Sequence, residues 1–512
     1  MNLDITNAKV KDFIDKNYKV LFMLLAVAPV AIRLINFKQL LYFTWDQGRD
    51  YFAVRKIVQG DLTLIGPTTG LHGFYLGPLW FYLGVPGYLL GQGSPFFFSL
   101  WYVLITLAAI PLFGWLSIYL FPKNKLLQLS LFSLFCFSSG SIEGCVRIWN
   151  PMIAIPLMMS FYILLMKSRK NVPLNFLAFI FLGLALQAEF AYAVLFIPLG
   201  FFALLILYGK KFVKPFLYAG AGLGLTFLPL LLFEIKNKLV MTTGLISHFT
   251  STANQIPWLK LWRERPRVLL TITKTQLIGN YSGTFSWIIF IFLTFLILMV
   301  AKKVISSVKR KVDHQWIVLI IFVFGPYLFY MFWRGNEGNF FDYYLTSHFV
   351  FLWPLIVKGL EILLAKNNLK QLVFCLSSLF LIVYSSYRVI SFRLFHPGNE
   401  AGYDVMEKTV NQLFDWLQQD GLNPGVMAVF TPNVNTEHYD AIIHWVAKQR
   451  HRQSPITVFE NPNRWYLLIE PSGHQTVLLK EWYGIRTTNA SQLRTGKIGV
   501  LAIETWEKIG EN

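Results

Sequence analysis

Charge is scarce in this sequence: 14% of its 512 residues are Asp, Glu, Lys or Arg, whereas 55% are hydrophobic. Soluble globular domains carry about 25% charged residues, so the composition excludes an ordinary soluble protein and describes an integral membrane one. Acidic residues are the scarcer sign, 27 against 46 Lys and Arg, for a net charge of +19. A basic excess of this kind belongs in the cytoplasmic loops of membrane proteins. No RNA-binding signature accompanies it, which removes nucleic acid from the expected partners. Cysteine is nearly absent: Cys136, Cys145 and Cys375 have no zinc or redox spacing and read as packing residues. Also missing are a phosphate-cradling Gly-rich loop, a nucleotide-sugar signature, a repeat at a solenoid period and any low-complexity segment. The first apolar run lacks a small-residue cleavage site, so it reads as a retained span.

What the chain has in abundance is long apolar runs and aromatic residues, the latter 17% of the total. Runs long enough to cross a bilayer stand at about 19–37, 96–121, 126–141, 151–166, 173–189, 190–208, 215–233, 284–301, 315–333, 344–364 and 370–388. These predict about eleven transmembrane helices. A further run, Phe74 to Gly91, is interrupted by Gly77, Pro78, Gly84, Pro86 and Gly87, which weaken a continuous helix. If it does not cross, the loops with Lys123/Lys125, Lys167/Arg169/Lys170, Lys210/Lys211/Lys214, Lys302 to Lys311 and Lys366/Lys370 share the side of the Lys-rich N-terminus. The positive-inside rule makes that side the cytoplasm. Residues 74–91 then read as a juxtamembrane helix at the outer surface, within a long first external loop of about 38–95. A second long external segment, 234–283, breaks the rule locally with Arg263, Arg265 and Arg267.

The composition turns soluble after about Ser391. Residues 1–390 are thus expected to form the transmembrane domain and 391–512 an extracytoplasmic one. Helical spacing over 404–420 and 436–450, with strand patterns at 425–431 and Trp465 to Glu470, predicts a small α/β domain. Glu437, His438, Tyr439, Asp440, His444 and Trp445 fall on the second of those helices, without metal-ligand spacing.

Chemistry is sought where charge persists beside apolar runs. Thr44-Trp45-Asp46-Gln47-Gly48-Arg49-Asp50 places two carboxylates and a guanidinium within five residues, just beyond the first span. Asp46 and Asp50 share a face if the stretch is helical, where a carboxylate could take a proton as a general base. Otherwise they are solvated residues paired with Arg49 and Arg55. Residues Leu64 to Gly70 followed by Gly77 to Tyr82 read as a tight turn and an interfacial aromatic segment. Glu143, Arg147, Trp149 and Asn150 form a short external loop; Arg147 suits a phosphate, or simply neutralises Glu143. Glu189 joins two apolar runs almost without a loop and is either functional or a wet turn residue. Arg334, Glu337, Asp342, Tyr343, Tyr344 and His348 precede the tenth span, as ligand donors or as an aromatic belt with a snorkelling Arg.

A first span, an external Asp-x-x-Arg at Asp46 and Arg49, and a Pro-Leu-aromatic-aromatic segment at Pro78 to Phe81 together resemble the polytopic glycosyltransferases of the C-type (GT-C) fold. The similarity is greatest to the protein mannosyltransferase and lipid A aminoarabinose transferase group. The resemblance implies a polyprenyl-phosphate sugar donor and transfer outside the membrane, with Asp46 as the essential acidic residue. Arg49, Arg147, Asn150, Arg334, Tyr343, Tyr344 and His348 are then expected at the donor phosphate and sugar. Many members follow the first Asp with Glu, where this chain has Gln47, and carry a charged residue where Leu76 and Gly77 stand. A second acidic residue, if the reaction needs one, would be Asp50, Glu189 or Glu143.

The expectation is therefore an inverting glycosyltransferase of the plasma (inner) membrane, N-terminus cytoplasmic, with an unidentified acceptor. No cofactor is expected, and no second metal ligand accompanies Asp46. The rival readings are a transporter or flippase for a lipid-linked or anionic solute, and a scaffold whose external domain binds a partner.

Overall fold

The computed structural model describes residues 3–70, 73–250, 256–280, 283–306, 314–335, 338–364, 368–432, 435–457, 463–471 and 475–509. Glu337, one of the residues marked in the sequence, lies outside them. In chain order the helices begin with α1 (Leu3–Leu34), α2 (Phe37–Leu40), α3 (Trp45–Val58), α4 (Leu79–Leu90), α5 (Pro95–Thr106) and α6 (Ala109–Leu120). There follow α7 (Lys125–Phe137), α8 (Ser139–Val146), α9 (Ala154–Lys167), α10 (Leu174–Ala188), α11 (Phe190–Ala193) and α12 (Phe196–Tyr208). The last apolar series is α13 (Val213–Lys236), α14 (Val240–Thr250), α15 (Trp258–Ile278), α16 (Thr284–Ser306), α17 (His314–Phe332), α18 (Phe349–Leu364) and α19 (Asn368–Phe395). The C-terminal region adds α20 (Tyr403–Gln419), α21 (Glu437–Gln449) and α22 (Thr476–Thr487), with strands β1 (Val426–Phe430), β2 (Ile456–Thr457), β3 (Arg464–Ile469), β4 (Ala490–Ile498) and β5 (Leu501–Lys508).

Each of the eleven apolar runs falls on one of these helices or on a consecutive pair. Among the described residues, seven helical segments are long and apolar enough to cross a membrane, and eight if the bent pair α7 and α8 is one span. The chain is a multi-pass membrane protein. Helix α4 has 12 residues, about 18 Å at 1.5 Å per residue, which is too short for a hydrocarbon core of about 30 Å. Helices α14 and α15 occupy most of residues 234–283, the stretch expected from the sequence as the second long external segment.

Packing divides the chain into two units. The first comprises Met1–Leu34, Thr63–Trp80 and Val103–Phe392. Small residues let its helices approach closely, as they do in membrane proteins generally: Gly183 of α10 lies against Thr226 of α13, and Gly222 of α13 against the Phe176 carbonyl. A Cβ at Gly140 of α8 would stand 2.6 Å from the Gln276 carbonyl oxygen of α15, so these two helices also meet backbone to side. Helices α7 and α8 are bent by 53°. The bend frees carbonyls that an unbroken helix would use. Buried Arg33 answers one of them, donating from Nη2 to the Cys136 carbonyl at 2.9 Å and to Ser141 Oγ at 2.9 Å. Residues 66–69 pair with 74–76, through Gly66 N–H to Leu76 O at 2.7 Å and Leu76 N–H to Pro67 O at 3.0 Å.

The second unit comprises Ile35–Leu62, Phe81–Tyr102 and Arg393–Asn512. Its sheet has the order β2-β1-β3-β5-β4, parallel among the first three strands and antiparallel thereafter. One sheet face buries Ala428, Phe430, Trp465, Leu467 and Ile469, against which Leu479, Trp482 and Tyr483 of α22 pack. Helix α20 buries an apolar stripe of Met406, Val410, Leu413, Phe414 and Leu417. Two segments far away in sequence complete this unit: α2 packs on α20, and α3 on α21. The strands at 426–430 and 464–469 and the helices at 403–419 and 437–449 match the sequence reading; α22 and the β4–β5 hairpin are additions to it.

On α21, burial together with Arg55 of α3 and Lys448 pushes His444 below the ordinary histidine range, so the folded protein holds it neutral. Below about pH 6.5 the unfolded chain takes up a proton there that the folded chain refuses. This contribution is present above the unfolded pKa and is lost as pH falls. The prediction is that His444→Gln narrows the drop in thermal midpoint between about pH 7.5 and pH 5.5. An undiminished drop in the variant would show that His444 carries none of it.

Candidate active-site residues

In the second unit, Asp46 stands in the first turn of α3. Thr44 caps that helix: its backbone N–H and its hydroxyl each donate to Gln47 Oε1 at 2.8 Å, in a capping box. Gln47, the departure from the family pattern, is therefore the cap partner. Arg49 joins the two carboxylates, with Nη1 2.9 Å from Asp46 Oδ1, and with Nε and Nη2 donating to Asp50 Oδ1 at 2.9 and 2.8 Å. The side chain of Asp50 is 3% exposed and that of Asp46 25%. Asp50 anchors Arg49, and Asp46 is the carboxylate that retains access to solvent.

In the first unit, Arg147 ends α8 with its guanidinium over Trp149, 4.5 Å from the ring centroid, and its Nη1 3.3 Å from Asp342 Oδ2. Trp149 meets Tyr343 edge to face at 4.9 Å. The loops at 147–150 and 342–345 are thus joined, and Arg147 pairs with Asp342, whereas Glu143 accepts from Ser139 Oγ at 3.1 Å. Asn150 Nδ2 donates to the Ala188 carbonyl at 2.6 Å. Next in chain, buried Glu189 caps α11 by accepting from Ala191 N–H at 3.0 Å. Tyr330 donates to the Ala191 carbonyl at 2.7 Å and lies parallel to Tyr344 at 5.9 Å. Burial, then Tyr344 and Glu189, holds the Tyr343 hydroxyl well above its ordinary pKa, so that it stays a proton donor.

Arg334 donates from Nε to the Ile256 carbonyl at 2.8 Å and lies over Trp258 at 4.7 Å. His348 is fully buried, with Nδ1 3.2 Å from the Tyr192 hydroxyl and its ring edge to face with Tyr327 at 4.6 Å. Of the residues singled out in the first unit, Arg147 and Tyr343 are joined by direct ring or charge contacts through Trp149 and Asp342. Among the described residues no three His, Cys, Asp or Glu side chains group to hold a metal ion.

One residue the sequence reading treated only as a charge anomaly has the most distinctive surroundings. Arg265 is 2% exposed, its guanidinium 4.9 Å from the Phe340 ring centroid and 5.8 Å from that of Trp333. Nη2 donates to the Gly338 carbonyl at 3.3 Å, and Nη1 has no partner among the described residues. Burial pushes its pKa down, against the opposing influence of Tyr330 and Tyr344. A buried cation enclosed by aromatic rings, with one face of its donor fork unused, is suited to an anion. The signal was present in the sequence: Leu261, Arg265 and Leu269 recur at helical spacing, and all three are buried.

No protein-family model matches the sequence, and no curated protein matches it. Among solved structures it is similar to ArnT from Cupriavidus metallidurans in the apo state, with a TM-score of 0.56 and 12% identity over 96% of this chain and 98% of that one. ArnT from the same organism bound to undecaprenyl phosphate gives a TM-score of 0.56 at 11% identity, with the same coverage of 96% and 98%. The oligosaccharyltransferase of Archaeoglobus fulgidus in its apo form gives 0.52 and 12% identity, over 85% of this chain and 64% of that one. These are GT-C proteins, and the likeness establishes the fold: this chain has the GT-C architecture, with a small C-terminal sheet.

Because no carboxylate among the described residues pairs with it, Arg265 should be dispensable for stability. Arg265→Met is predicted to leave the thermal midpoint in detergent unchanged or to raise it, since a buried charge without a counter-ion costs desolvation that an apolar side chain avoids. A midpoint several degrees lower would make the guanidinium a structural strut.

Proposed function

We propose that the protein is a membrane glycosyltransferase that moves a sugar from a polyprenyl-phosphate donor to an acceptor at the outer face of the cell membrane. The observation that carries this reading is Arg265, a buried guanidinium with an unused donor face, in a chain of GT-C fold. ArnT, of the same fold, is known bound to undecaprenyl phosphate, a ligand whose headgroup is an anion of that kind. In this reading Arg265 holds the donor phosphate, Arg147 and Arg334 add positive charge, and Tyr343 and Tyr344 supply neutral hydrogen-bond donors. Arg49 holds Asp46, and the prenyl chain occupies a groove between spans.

The reaction is a single displacement. An acceptor hydroxyl or amine attacks the anomeric carbon, and the bond from that carbon to the phosphate oxygen breaks. The electron pair leaves with the phosphate, and the acceptor proton passes to Asp46. Configuration at the anomeric carbon inverts. The leaving group departs already charged, so cations at the phosphate contribute more than an acid would. Asp46 is preferred over Asp50 as the base because Asp50 is buried and bound twice by Arg49.

The test is transfer from a radiolabelled polyprenyl-phosphate hexose to endogenous acceptors in membranes. Asp46→Asn should lower the rate by about 10²–10⁴-fold, the usual span for a general base, while the protein still binds donor. Arg265→Gln should weaken donor binding by about 10–100-fold, as expected for losing charge-assisted hydrogen bonds of about 1.5–3 kcal/mol. Transfer at the full rate by Asp46→Asn removes that residue as base. Unaltered donor affinity in Arg265→Gln removes the phosphate contact.

A further inference from the structure

The second unit holds α3, which carries Asp46, together with the C-terminal domain. The chain leading into α3 is stitched to that domain through its backbone. Asn399 N–H donates to the Gln39 carbonyl at 2.9 Å, Tyr403 N–H to the Leu41 carbonyl at 3.0 Å, and Lys38 Nζ pairs with Glu407 Oε2 at 2.6 Å. Three residues beyond Leu41 the α3 cap begins. The helix itself then rests on α21 at Gly48. A Cβ added there would stand 2.7 Å from the Glu437 carbonyl oxygen and closer still to Glu437 C and His438 N. All of these are backbone atoms of the first turn of α21, so no side chain can swing aside.

At 3.6 residues per turn, each residue advances the helix by about 100°, so Gly48 lies about 200° round from Asp46. Helix α21 therefore backs α3 on the side away from that carboxylate. Any displacement of α3 from α21 is transmitted to Asp46 as a translation of similar size. Arg55, two turns on from Gly48, continues the same face toward His444 of α21, so the contact fixes the helix along its length.

We propose that the C-terminal domain is part of the catalytic machinery, and that Gly48 is a positioning residue whose close seat on the α21 backbone sets where Asp46 stands. The proposal rests on the reading of Asp46 as the general base. Restoring ordinary contact distance around a Cβ at position 48 requires the backbones to separate by roughly 1 Å, and a misplacement of about that size at a reacting group costs on the order of 10²-fold. Gly402, before α20, presses on the same stitched stretch from the other side: a Cβ there would lie 2.7 Å from Asn399 Cβ and 3.0 Å from the Leu41 carbonyl oxygen, so the segment that leads into α3 must give way.

The experiment uses the full-length protein in detergent, with kcat and donor KM measured on a polyprenyl-phosphate hexose, binding of undecaprenyl phosphate measured separately, and thermal midpoints recorded. Gly48→Ala should lower kcat by about 10–100-fold, with donor KM and lipid-phosphate binding within about twofold of the parent. Gly402→Ala should also lower kcat with the same split, and it decides the question if Gly48→Ala does not fold. Merely structural damage would instead lower the midpoint and weaken donor binding along with turnover. A folded Gly48→Ala protein with parental kcat, or a loss residing in donor affinity, overturns the proposal. Asp46→Asn, assayed alongside, separates the two claims: if it is inactive while Gly48→Ala is unimpaired, only the positioning role fails. If Asp46→Asn is fully active, the base assignment fails and the positioning role with it.

Discussion

A charge removed from water must be answered by polar partners, and in a chain this apolar that requirement decides what each buried ion can be for. Arg33, fully buried, is answered by the carbonyl of Cys136 and the hydroxyl of Ser141, where α7 gives way to α8. The bend frees the acceptor and the arginine occupies it, so cation and break stabilise each other. Asp50 is answered by two hydrogen bonds from Arg49, and Asp46, paired with the same guanidinium, is the more exposed of the two carboxylates. Arg265 is the exception. Among the described residues it has a single carbonyl contact and aromatic rings around it, and a protein that retains such a cation sacrifices stability unless an anion arrives.

The same requirement explains which parts of the architecture can be read directly. A span must be both long and apolar, so all eleven runs could be marked by eye, and each lies on helix. Length is less legible: among the described residues seven helical segments, or eight with the bent pair, are long enough to cross, and α4 and α10 are both shorter apolar helices. In the C-terminal domain, Met406, Val410, Leu413 and Leu417 repeat at helical spacing, and β1 and β3 are short apolar runs, so these elements were visible. The hairpin of β4 and β5 was not. Strand β4 has one face and an edge in solvent, and its Ala-Ser-Gln-Leu-Arg-Thr-Gly-Lys-Ile carries too few apolar residues to display a period of two.

The candidate residues divide along a similar line. Asp46 and Arg49 could be marked as candidates because local spacing brings them together on one helix. Arg265 could not, because its distinguishing property, a charge on the buried stripe of α15, needs the partners of that stripe to be known. The grouping of residues 35–62 with the C-terminal domain was hidden for a related reason: the bonds at Gln39 and Leu41 are made by backbone atoms, and backbone pairing across some 360 residues leaves no trace in side-chain type. At Gly48 the trace is a single missing side chain.

Helix α3 illustrates why that pairing is needed. A 14-residue segment is near the length at which isolated helices are only marginally stable in water, and a glycine in its interior costs about 1 kcal/mol more relative to alanine. Left to itself this helix would fray, and the carboxylate in its first turn would have no defined position. The capping box at Thr44 and Gln47 secures its beginning, and the stitched stretch before it and the α21 backbone beneath it supply the tertiary contacts that propensity lacks. The glycine that weakens the helix in isolation is what permits the approach that holds it in place. A carboxylate on a short helix can then be as well fixed as one on a core helix, provided that a domain encoded more than 300 residues later is folded.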